Sequence, residues 1–129
     1  MKRILLIDDD QLFREMLKDI LESLGHEVTE AREGSEGLNL LRNLNPDLVM
    51  TDLIMPGKEG IETIMELRRA KPDLRIIAMS GGGRGMANSY LKIAQQMGAK
   101  RVLAKPFSID ELKEVIDEIF TPAAGPVVT

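Results

Sequence analysis

The sequence predicts an α/β fold, a parallel sheet covered by helices, and three observations predict it. Short apolar runs alternate with longer stretches whose apolar residues recur at helical spacing, the pattern of repeated βα units. Glycine and proline punctuate the junctions, as at Gly25, Pro46, Pro72 and Gly98. The runs also stop on polar chemistry: Ile4-Leu5-Leu6-Ile7 at Asp8-Asp9, Leu48-Val49-Met50-Thr51 at Asp52, the 74–79 run at Ser80, and Val102-Leu103-Ala104 at Lys105. If these runs are parallel strands, their C-terminal edge gathers three carboxylates, a hydroxyl and an ammonium. Open α/β sheets bind ligands in that crevice, and the set suits a divalent cation with a phosphoryl group.

The elements follow in order. After the first strand, Leu12, Phe13, Met16, Leu17, Ile20, Leu21 and Leu24 predict an amphipathic helix, with Asp10 at its start and Gly25 as its left-handed cap. Residues 26–31 form a more polar second strand, which belongs at an edge. A short helix over 35–44 ends at Asn45-Pro46. The third strand, 47–51, is nearly continuous in apolar character, as a strand covered on both faces should be. Ile61, Ile64, Met65 and Leu67 mark a third helix ending before Pro72, and 74–79 is the fourth strand. Residues 90–97 predict a fourth helix and 101–104 the fifth strand. Ser108 with Glu111 three residues on predicts a capping box, opening a last helix with Leu112, Val115, Ile116 and Ile119 on one face. The folded domain is expected over 1–120, with 121–129 as a flexible tail or linker stub.

Composition bounds the function. A chain of 129 residues with 43% hydrophobic and 29% charged residues is one globular domain by size and balance. The net charge of −4 and the lack of a basic stripe argue against direct nucleic-acid binding. Aromatics at 3% leave no base-stacking platform. With no cysteine, thiolate metal sites and disulfides are excluded. Neither a signal peptide nor an apolar stretch of bilayer length is present, so the expected setting is the cytoplasm, without membrane contact.

Asp8, Asp9, Asp52, Ser80 and Lys105, with Pro106-Phe107 behind the lysine and Met55-Pro56 and Gly60 after Asp52, resemble the signature of two-component response-regulator receiver domains of the chemotaxis (CheY-like) type. The match covers residues 2–120. The resemblance implies a flavodoxin-like, doubly wound (βα)5 fold with strand order 2-1-3-4-5. It implies Mg²⁺ as the cofactor, held directly by Asp9, Asp52 and the backbone carbonyl of Ile54, with Asp8 acting mainly through water. It makes Asp52 the phosphoacceptor, attacking a phosphohistidine of a sensor histidine kinase or histidine phosphotransfer protein, with Lys105 neutralising the transferred group. Ser80 would then move onto the phosphoryl group and switch the surface offered to a downstream protein target. The Lys105-Pro106 bond is expected to be cis. Such a module is a phosphoacceptor that assists its own phosphorylation, not an enzyme acting on metabolites.

The chain departs from the family pattern at three places. The switch position three before the lysine is Val102, where receivers usually carry an aromatic or His. The segment from Ser80 to Lys105 is long, with Gly81-Gly82-Gly83-Arg84-Gly85 absorbing the length; that run lacks the ending of a P-loop and reads as a loop that moves with Ser80. The positions that flank the phosphoryl group in this family are Ile54 and Gly82 here, neither able to orient a water, which predicts a long-lived aspartyl phosphate unless a phosphatase partner supplies that group.

Taken one at a time, these residues have blander readings: a solvated acidic turn at the helix start, a surface lysine, a turn serine, core methionines, a structural His26, and solvated Arg14 and Arg84. Two alternative functions stand beside the receiver. One is an Mg²⁺-dependent haloacid-dehalogenase-type phosphohydrolase using Asp8 and Asp10, although Leu12 stands where that motif has Thr or Val. The other is a receiver-like scaffold that is never phosphorylated.

Overall fold

The computed structural model describes residues 1–53, 60–81, 92, 94–96 and 98–121. Five strands, β1 (Arg3–Ile7), β2 (Glu27–Ala31), β3 (Leu48–Asp52), β4 (Arg75–Ser80) and β5 (Arg101–Ala104), pair in parallel in the order β2-β1-β3-β4-β5. Helices α1 (Gln11–Ser23), α2 (Gly34–Leu44), α3 (Gly60–Ala70) and α4 (Ile109–Phe120) accompany them among the described residues. Of the helix expected over 90–97, residue 92 and residues 94–96 are helical; the rest lies outside the described residues.

Side-chain alternation splits the central strands between two cores. Leu5, Ile7, Val49, Ile76 and Ala78 face Leu41 of α2 and Ile64 and Leu67 of α3. Ile4, Leu6, Met50, Ile77 and Met79 face Leu17 and Leu21 of α1 and Leu112 and Ile116 of α4. Every residue of β3 is buried, which explains its unbroken apolar character. Each fully buried Leu or Ile contributes about 1.5–3 kcal/mol, so these two layers hold the sheet that carries the site. The more polar β2 is an edge strand, as its sequence predicts.

The helix ends follow their local chemistry. Asp10 caps α1 by accepting from the Phe13 N–H at 3.1 Å. Gly25 follows with φ +93°, a conformation that costs glycine nothing. Asn45 closes α2 in the left-handed region. Ser108 and Glu111 form the predicted capping box on α4. Several boundaries differ by one residue from expectation: β2 begins at Glu27 and α2 at Gly34, while Asp47 places its carboxylate on the Arg3 N–H before β3 begins at Leu48, and Leu74 turns back onto Lys71 before β4 begins at Arg75. At the other ends, the pairs Asp52 with Met79 and Ser80 with Ala104 make Asp52 and Ser80 the last residues of their strands instead of the first beyond them. Helix α4 ends at Phe120, and Thr121 is the one residue of the expected 121–129 tail within the described residues.

The methionines divide. Met50 and Met79 are core residues, but Met16 and Met65 are largely exposed on α1 and α3.

Candidate functional site

Parallel register decides which strand ends meet. Ile7 pairs with Thr51, Asp52 with Met79, and Ser80 with Ala104. The residues at or just past those positions, Asp8, Asp52, Ser80 and Lys105, therefore stand in one row across β1, β3, β4 and β5. The Lys105 N–H donates to the Ser80 carbonyl at 2.8 Å and fastens the last two strand ends together. Gly60 at the start of α3 lies so close to the Asp52 and Leu53 backbone that a β-carbon would strike it. Its N–H donates to the Leu53 carbonyl at 3.1 Å, tying α3 to the end of β3.

Asp8 and Asp52 are buried and Asp9 is exposed. One carboxylate oxygen from each of the three lies within 4.8 Å of the others. Three carboxylates this close repel one another, and a cation between them relieves the cost. The chain supplies one cation itself: Lys105 Nζ lies 2.7 Å from Asp8 Oδ2 and 3.6 Å from Asp52 Oδ2. The other Asp8 oxygen, Oδ1, accepts the Asp10 N–H at 2.9 Å. Both oxygens of Asp8 are thus committed, while Asp9 faces outward. All-oxygen donors of this kind suit a hard divalent cation.

Ser80 is fully buried, and among the described residues its Oγ has no hydrogen-bond partner. A buried hydroxyl left unpaired costs about 1–3 kcal/mol. By strand alternation Ser80 shares a face with Ala78, and their partners Ala104 and Val102 share it too. Val102 is partly buried and packs against the core under α2 and α3. The Lys105-Pro106 peptide is cis, as expected.

Arg14 corrects the sequence reading. It is buried, not solvated. Its Nη1 donates to the Asp8 carbonyl at 2.8 Å and its Nε to Glu30 Oε1 at 2.9 Å, joining α1, the end of β1 and the edge strand β2. Two more contacts escape sequence reasoning. The Phe13 ring lies 4.0 Å from Lys105 Nζ, and Phe13 meets Phe107 edge-on at 6.0 Å between centroids. Spacing shows that Phe13 and Arg14 lie on neighbouring faces of a helix; it does not show that the helix N-terminus leans over the site. His26 is structural, its Nδ1 accepting the Lys2 N–H at 3.3 Å. Ile54, Met55-Pro56 and the Gly82-Gly83-Arg84-Gly85 run lie outside the described residues.

A cavity of about 640 Å³ is lined by Asp9, Asp52 and Lys105 of the row and by the apolar side chains of Phe13, Phe107 and Leu112. No helix among the described residues is long and apolar enough to cross a membrane.

Comparison with known proteins agrees with this geometry. Residues 4–117 match the response regulator receiver domain family. The chain is 38% identical over 117 residues to the chemotaxis protein CheY of Bacillus subtilis, covering 90% of this chain and 95% of that one. The crystal structure of the response regulator protein TrrA from Thermotoga maritima, in complex with Mg(2+)-BeF, superimposes with a TM-score of 0.79 at 35% identity, over 92% of this chain and 99% of that one. NtrX from Brucella abortus superimposes with a TM-score of 0.85 at 28% identity; 92% of this chain covers 26% of that longer one.

Proposed function

We infer the working of this site from one premise: the chain belongs to the response regulator receiver domain family. It is a phosphoacceptor switch of a two-component system, and the phosphohydrolase reading is not favoured. Asp8, the nucleophile of that alternative, is fully buried with both oxygens engaged.

Asp52 is the residue we assign as acceptor. Its carboxylate oxygen attacks the phosphorus of a phosphohistidine on a histidine kinase or phosphotransfer protein. The P–O bond forms as the P–N bond breaks, and the departing imidazole nitrogen takes a proton. The observation that carries the assignment is a buried carboxylate at a strand end, flanked by two acids and the Lys105 ammonium, beside a buried Ser80 hydroxyl that has no partner among the described residues.

Asp9 and Asp52 are the side chains that would hold Mg²⁺ directly. Asp8 would act through water, which fits oxygens already committed to Lys105 and Asp10. The third direct ligand in this reading, the Ile54 carbonyl, lies outside the described residues. Bound there, Mg²⁺ supplies charge neutralisation for the acids and for the transferring phosphoryl oxygens. TrrA, 35% identical, holds Mg(2+)-BeF in its solved structure, which supports this choice of ion.

Lys105 moves part of its pairing from Asp8 to the new phosphoryl oxygens, and Ser80 Oγ donates to one of them. That movement, on the face shared with Val102, changes the surface offered to a downstream protein. With Val102 in place of an aromatic, the change travels as repacking of a small side chain. The domain spans residues 1–120, works in the cytoplasm, and turns over no metabolite.

Intact-mass analysis after incubation with acetyl phosphate and Mg²⁺ tests the reading. Wild type gains one phosphoryl group and Asp52→Asn gains none. An adduct retained in Asp52→Asn overturns the assignment, and absence of any adduct in wild type favours the scaffold.

A further inference from the structure

The Lys105 ammonium is confined on more sides than its ion pairs require. Asp8 and Asp52 take two directions, at 2.7 Å and 3.6 Å. Its stem runs against Gly81, where an added β-carbon would meet Lys105 Cβ and Cδ at 3.2 Å each. The Phe13 ring closes a third side at 4.0 Å, leaving the lysine side chain 15% exposed. Phe13 is braced in turn by its edge-on contact with Phe107, two residues beyond the lysine.

We propose that Phe13 is a positioning residue for phosphoryl transfer, its ring face holding the Lys105 ammonium over the acceptor carboxylate and keeping water from its outer side. The proposal rests on Asp52 being the acceptor. The physical basis is that an aromatic face attracts a cation without offering a lone pair. A carboxylate or carbonyl at position 13 would compete with the phosphoryl oxygens for the ammonium protons; a phenyl ring stabilises the charge and leaves those protons directed inward. Water at the same place would compete as well, and would let a four-carbon chain sample many rotamers. The aromatic pair thus shortens the search that Lys105 makes each time a phosphoryl group arrives.

Phe13 is only partly buried and sits on the wall of the open cavity, so Phe13→Leu is expected to fold. The experiment measures phosphorylation by acetyl phosphate at varied Mg²⁺ for wild type, Phe13→Leu, Phe13→Tyr, Lys105→Met and the double variant Phe13→Leu/Lys105→Met. NMR of the Lys105 ε-methylene protons accompanies it. The expected result is a maximal rate about three- to tenfold lower in Phe13→Leu, with the Mg²⁺ concentration for half-maximal rate unchanged and near-wild-type behaviour in Phe13→Tyr. The ring-current shift of the Lys105 ε-methylene should vanish in Phe13→Leu. In the Lys105→Met background the Phe13 substitution should have no further effect, because the two residues act as one unit. An undiminished rate in Phe13→Leu overturns the proposal, as does an equal loss with and without Lys105. Failure of the reading beneath it looks different: wild type itself then gains no phosphoryl group.

Discussion

Lys105 Nζ and Asp8 Oδ2 form an ion pair at 2.7 Å between residues 97 positions apart, closer than the 3.6 Å that separates the same ammonium from Asp52. The lysine therefore rests on the fully buried Asp8 and only leans on Asp52, the proposed acceptor. A cation parked on Asp8 keeps the acidic cluster tolerable in the resting protein and stands one small movement from any group attached to Asp52.

Removing the lysine should expose the cost of the cluster. Lys105→Met leaves Asp8 buried beside two other acids and is expected to lose about 1–3 kcal/mol, since a buried acceptor loses its charged donor while the lysine itself is partly exposed. Mg²⁺ should return part of that loss. Urea unfolding with and without Mg²⁺ would show a larger metal-induced gain in the variant than in wild type; equal gains would mean that Lys105 does not share the cluster's charge balance.

Ser80→Ala separates the switch from the chemistry. The hydroxyl is buried and, among the described residues, unpaired, so its removal should leave the resting protein as stable or more stable, by about 1 kcal/mol at most. Phosphoryl acceptance from acetyl phosphate should persist. Beryllium fluoride with Mg²⁺ should then shift NMR signals at the site without reaching Val102. Shifts at Val102 as large as those of wild type would remove Ser80 from the switch.

Arg14 supports the site from beneath. Its guanidinium holds the Asp8 carbonyl and Glu30, and it is buried. Arg14→Met should lose about 2–3 kcal/mol, because a buried carbonyl and a carboxylate lose a charged partner together. Freed of this tie, the backbone at Asp8 should hold the acidic cluster less firmly. Mg²⁺ titration by NMR is expected to show weaker binding in Arg14→Met, and unchanged affinity would confine Arg14 to the fold.

His26 should impose a pH dependence far from the site. Burial, with the nearby positive charges of the amino terminus and Lys2, holds its pKa below the ordinary 6.5, against a smaller opposing pull from Asp117. Its Nδ1 accepts the Lys2 N–H, which only the neutral ring can do. The unfolded chain therefore takes up the proton first. This contribution to stability is complete above 6.5, declines as pH falls below it, and levels off once the folded state is also protonated. Urea midpoints measured across that window should fall less steeply in His26→Gln than in wild type, and parallel curves would count against it.

Much of this was readable in one dimension. A strand buried on both faces must be apolar throughout, so β3 announced itself, as did the polar edge strand β2. Polar residues at strand ends have little use in a core, so Asp8, Asp52, Ser80 and Lys105 marked the site. Caps such as Asp10, Gly25 and Ser108 with Glu111 act over three or four residues and are local enough to read directly. Strand order was of a different kind: it came through the family resemblance, because pairing partners are set by the twist and crossovers of the whole sheet.

What the chain order alone established was the set of chemical groups and the edge on which they collect, since both depend on short-range pattern. The folded structure alone decided which acid Lys105 favours, that Arg14 turns inward beneath Asp8, and that Phe13 covers the ammonium. Those are contacts between residues brought together from separate elements. Their geometry depends on helix tilt and packing distance, and neither quantity is written in the spacing of any one segment.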